Sequence, residues 1–100
     1  MKRIKYKLNL TNKDWLKIDF TKEKGDILKF IIQYYALVKN KIYSIRRYDT
    51  SHGVAHKHQY YLKGKPTKEI LGHDYNKIFS EAYHETKNKF IKFKNYFLKK

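Results

Sequence analysis

A chain of 100 residues with 41% apolar and 17% aromatic side chains holds one modest core, leaves no room for a separate cofactor domain and excludes global disorder. The absence of cysteine excludes disulfides and thiolate metal sites and fits a reducing compartment. A formal net charge of +15, from 13 basic and 5 acidic groups in residues 1–50 and 11 and 4 in residues 51–100, makes the whole domain basic and favours a polyanionic partner, nucleic acid first.

Lys2 to Leu10 alternates, with Ile4, Tyr6, Leu8 and Leu10 on one parity and Arg3, Lys5, Lys7 and Asn9 on the other. This predicts a half-buried strand with a basic outer face. Thr11 to Asp14 is a turn signal, and Trp15 to Phe20 reads as a second strand before a polar connection, Thr21 to Asp26. A helix or irregular loop over residues 13–26 is the alternative. Ile27 to Val38 is rich in β-formers and predicts a central strand. Lys39-Asn40-Lys41 is a hairpin turn with Asn40 in the left-handed conformation. Ile42 to Tyr48 returns as the next strand, and His56 to Leu62 is another, ended by Gly64, Lys65 and Pro66.

After Gly72 the period changes to helical. Asp74 is the predicted N-cap, and Tyr75, Ile78, Phe79, Ala82, Tyr83, Thr86, Phe90, Phe93 and Phe97 follow one face. Glu81 and Glu85 fall early in this helix and Lys89, Lys92, Lys94, Lys99 and Lys100 late, which matches the helix dipole. The expected fold is α+β: an antiparallel sheet of about four to five strands with one long C-terminal helix packed on it, in a single domain over residues 1–100. The longest apolar run, Phe30 to Val38, is broken by Gln33 and falls far short of a membrane span of about 20 residues. No apolar leader follows Met1-Lys2-Arg3, so the expected location is cytoplasmic, away from membranes.

Chemistry concentrates between Arg46 and His58, where three of the five histidines stand with adjacent arginines and Asp49. Strand alternation groups Arg47 with Ile45 and Tyr43, and Arg46 with Ser44 and Tyr48, while His56 and His58 share a face. His52 reaches them from a loop that Gly53 sharpens. Metal-independent RNA cleavage is one reading. The histidines, with ordinary pKa near ~6.5, would divide the acid and base work. Asp49 would orient an imidazole, Arg46, Arg47 and Lys57 would bind phosphate, and Tyr48 would stack a base or donate a hydrogen bond. A divalent metal held by Asp49, His52, His56 and His58 is a second reading, although such a basic setting offers few carboxylates. Passive phosphate binding is the third. Tyr34, Tyr35, Tyr60 and Tyr61 are candidates for a base-stacking platform, with one ring of each adjacent pair facing the core.

The segment Arg47-Tyr48-Asp49-Thr50-Ser51-His52, followed by His56-Lys57-His58, resembles the toxTAS-type (TumE-like) small toxins of toxin–antitoxin pairs over residues 30–95. Those proteins carry an Arg-Tyr/Trp-Asp-Asn run, clustered histidines and a C-terminal helix; here Thr50-Ser51-His52-Gly53 replaces an Asn-Ala-Pro-His-His loop. The resemblance implies a growth-inhibiting toxin that acts on RNA and is neutralised by an antitoxin. The expectation is therefore a metal-independent endoribonuclease without cofactor, with His52, His56, His58 and Asp49 catalytic and Arg46, Arg47, Tyr48 and Lys57 on the nucleic acid. Its partners would be RNA or other nucleic acid and an acidic antitoxin, and a homodimer is compatible with the chain. The alternative is a non-catalytic nucleic-acid-binding or inhibitory protein, virus- or host-encoded, acting through its basic surface.

Overall fold

The computed structural model describes residues 1–99; Lys100, the last charge assigned to the helix, lies outside them. Six strands follow in chain order: β1 (Lys2–Thr11), β2 (Asp14–Glu23), β3 (Asp26–Val38), β4 (Lys41–Asp49), β5 (Ala55–Gln59) and β6 (Thr67–Gly72). Helix α1 (Tyr75–Leu98) closes the chain. The strands form one antiparallel meander in the order β1-β2-β3-β4-β5-β6. The sheet therefore has six strands where four to five were expected, and residues 14–23 are strand, not helix.

The turns explain the meander. Lys24 and Gly25 have φ of 51° and 84°, and Lys39 and Asn40 have φ of 51° and 67°. Two successive left-handed residues match the twist of a tight hairpin. The polar connection expected at Thr21–Asp26 shrinks to Lys24-Gly25 because β2 and β3 extend up to it. The unforeseen strand is β6. Its residues Thr67 to Ile70 are exposed, so they carry no burial alternation, and only pairing to β5 makes them a strand. Strand β5 stops at Gln59 rather than Leu62.

One face of the sheet is apolar and lies under α1. Leu16, Ile18, Phe30, Ile32, Tyr34, Ala36 and Ile45 are buried there against Ile78, Ala82, Phe93 and Phe97. The aromatic rings meet edge-on, as Phe30 does Phe79 (5.4 Å, 82°) and Tyr34 does Phe90 (6.0 Å, 85°). The Tyr34 hydroxyl donates to Asp14 Oδ1 at 2.6 Å, and Lys94 Nζ from the helix lies 3.2 Å from the same oxygen. The Asp74 carboxylate caps α1 by accepting from the Lys77 amide.

A bulge decides where the arginines point. Tyr34 pairs with Arg46 and Tyr35 with Ser44, which leaves Ile45 as an extra residue in β4. Without it, a Tyr43 packed on Phe97 would bring Arg47 to the same face by alternation. With it, Tyr43, Arg46 and Tyr48 face the helix, while Ser44, Arg47 and Asp49 face the other side. The expected grouping of Arg47 with Tyr43, and of Arg46 with Ser44, is corrected by this shift.

Candidate functional site

The second face of the sheet has no covering element among the described residues, and β4 and β5 place four of the expected site residues on it. Arg47 pairs with His58, and Asp49 with His56. Residues directly opposite in an antiparallel pair project to the same side, so the two strands assemble a compact square of Arg47, Asp49, His56 and His58.

Asp49 is its hub. The residue is 4% exposed, and its carboxylate accepts from Arg47 Nε at 2.7 Å and from the Ser51 amide at 3.1 Å and lies 3.7 Å from His56 Nδ1. Burial pushes its pKa up, but the Ser51 hydrogen bond and the Arg47 guanidinium outweigh burial and hold it below the usual carboxylate range. The imidazole of His56 neighbours those of His52 and His58, with centroids 6.5 Å and 6.3 Å away. His58 continues into Tyr60, stacked at 6.2 Å and 15°.

His58 Nδ1 is buried and has no hydrogen-bond partner. Burial first, then Lys68, His56 and Arg47, push the His58 pKa down against the pull of Asp49, so this imidazole is neutral at pH 7. His56 is 4% exposed. His52 is exposed at the tip of a short 3-10 turn, Ser51–Gly53, and takes a left-handed φ of 65°. A groove of about 270 Å³ borders Asp49, lined also by Arg3, Lys29, Thr50 and Ser51.

Three residues expected at this site stand elsewhere. Arg46 is 5% exposed, and its guanidinium lies 3.6 Å from the Phe93 ring centroid and donates to Gln59 Oε1 at 3.2 Å. Its Nη2 is 3.8 Å from Glu85. Tyr48 is 2% exposed, with its hydroxyl donating to Glu85 and its pKa pushed up to about 12, chiefly by burial. Neither side chain reaches the open face, because the bulge turns both under α1. Lys57 pairs with Tyr48 in register and its ammonium lies 3.6 Å from Glu69. Of the four tyrosines, Tyr34 enters the core, Tyr60 neighbours His58, Tyr35 stacks with Trp15 on the open face at 6.0 Å and 21°, and the Tyr61 hydroxyl lies 3.5 Å from Thr67 Oγ1. Trp15 escaped the sequence reading, although a tryptophan on one parity with Lys17 and Asp19 is the signal that could have found it.

Among the described residues no group of three or more His, Asp or Glu side chains is placed to hold a metal ion. None of their helices is long and apolar enough to cross a membrane. An open antiparallel meander backed by one helix, with a titratable square on its bare face, defines the class of protein. Residues 1–100 match the family described as a domain of unknown function, DUF7718, and the chain belongs to that family. No curated protein and no solved structure matches it.

Proposed function

We propose that this protein binds RNA on the open face of its sheet and cleaves it without a metal, as the toxin of a toxin–antitoxin pair acting in the cytoplasm. The observation that carries the reading is the register that sets Arg47 opposite His58 and Asp49 opposite His56 on the uncovered face. His58, neutral at pH 7, takes the proton of a ribose 2′-OH. The 2′-oxygen attacks the adjacent phosphorus, the bond from phosphorus to the 5′-oxygen breaks, and a proton from His56 goes to that leaving oxygen. The products are a 2′,3′-cyclic phosphate and a 5′-hydroxyl end. Asp49 faces Nδ1 of His56 and so reserves Nε2 for proton transfer. Arg47 uses Nε on Asp49 and directs its Nη groups to the phosphorane oxygens. His52, exposed beside His56, is the third imidazole within reach of substrate. The toxin setting rests on the resemblance at Arg47 to His52, and a chain of +15 suits neutralisation by an acidic protein.

The near-complete burial of His56 favours a second reading, a binder that occupies RNA without turnover. Incubation of purified protein with total RNA, with and without EDTA and beside a His56→Ala/His58→Ala variant, separates the two. Cleavage that survives EDTA and vanishes in the variant is the expected result. RNA retained without cleavage under any condition overturns the catalytic reading and leaves the binder.

A further inference from the structure

Register aligns one residue from each of the six strands in a straight row across the open face: Lys7, Lys17, Gln33, Arg47, His58 and Lys68. Four carry a permanent positive charge, and none of the six is acidic. At a strand spacing of ~4.8 Å the row spans about 24 Å. The neighbouring row is aromatic. Trp15 pairs with Tyr35 and Tyr35 with Ser44, and the Tyr60 amide donates to the Ile45 carbonyl beside them. Lys7 Nζ sits 5.0 Å from the Trp15 ring centroid and Lys17 Nζ 5.6 Å from that of Tyr35, which ties the two rows together. An open groove of about 370 Å³ runs along the cationic row where it crosses Lys7, Lys17 and Gln33.

We infer that the occupant is a single-stranded polynucleotide laid across the strands, phosphates along the cationic row and bases on Trp15, Tyr35 and Tyr60. The inference rests on the RNA reading above and names its substrate class. A row of about 24 Å matches on the order of seven phosphates at the 3.4 Å stacked spacing, and fewer in an extended chain. Aromatic rings on an uncovered sheet face accept bases only when these are unstacked from a partner strand. A duplex presents paired bases edge-on and cannot cover both rows. Arg47 and His58 belong to the cationic row, so a strand held this way passes its backbone over the acid–base square.

Trp15 is the only tryptophan and reports stacking directly. The test titrates the protein with a single-stranded 8-mer RNA, its 2′-deoxy analogue, which cannot be cleaved, and a blunt duplex of the same sequence. Both single strands are expected to quench Trp15 fluorescence, and the duplex to bind at least tenfold more weakly without quenching. Tyr35→Ala is expected to weaken the single strands by roughly 5- to 150-fold. Lys17→Glu, at an exposed position clear of the core, is expected to weaken them with a shallower salt dependence and no change in melting temperature. Equal affinity for duplex and single strand, or binding without quenching, overturns the inference even if RNA is cleaved. Quenching by single strands without any cleavage upholds it and defeats the catalytic reading instead.

Discussion

Arg46 and Arg47 are neighbours in sequence and opposites in structure. Arg46 lies under the helix, on the Phe93 ring and between Gln59 and Glu85; Arg47 stands on the bare face, tied to Asp49 across from His58. The contrast extends to the two faces. The covered face is apolar and aromatic and its contacts hold the fold, whereas the open face is charged, aromatic and titratable and adds little to the core. The titratable square and the apolar core thereby lie on opposite sides of one sheet.

The widest separation should appear in the histidines. His56→Ala/His58→Ala is expected to lower cleavage by about 10²- to 10⁴-fold while RNA affinity, read by filter binding, stays within a few-fold. On the covered face, Ile32→Ala is expected to cost about 2–5 kcal/mol in denaturant unfolding, since Ile32 is fully buried. An equal loss of RNA affinity in the histidine variant would break the comparison. The arginines sharpen it next. Arg46→Ala should destabilise by about 2 kcal/mol through lost packing with little effect on the salt dependence of RNA binding. Arg47→Ala should leave most of the stability in place and reduce the salt slope by about 1.

Protonation gives the finest test. On the proposed mechanism, the depressed His58 pKa is expected to place the acid limb of the pH–rate profile below the ordinary histidine value of ~6.5, with activity falling as pH drops through it. Lys68→Ala removes one of the charges that depress it and should move that limb to higher pH. The stability linkage has the same sign for His58 and Asp49, whose folded pKa values both lie below the ordinary ones. Each contributes stability above its unfolded pKa that is lost as pH falls through the folded one, and Asp49→Asn should flatten the acid part of the melting profile.

Much of this architecture was legible in the chain. The parity of Lys2 to Leu10, the Lys39-Asn40 turn and the helical spacing from Asp74 to Phe97 are local signals, written by which residues must be buried and which backbone angles a turn requires. They determined an antiparallel sheet with a C-terminal helix. The clustering of Asp49, His56 and His58 was legible for the same reason, because two short strands joined by a tight loop bring near neighbours together. What only the tertiary structure decided was non-local. Strand β6 exists because β5 offers it hydrogen bonds, not because its own residues alternate. The extra residue at Ile45 leaves no mark in the composition, yet it reverses the parity of β4 and sends Arg46 inward and Arg47 outward. The cationic row assembles one residue from each of six strands between Lys7 and Lys68. Such a row is set by register, which pairing across strands fixes and linear spacing does not record.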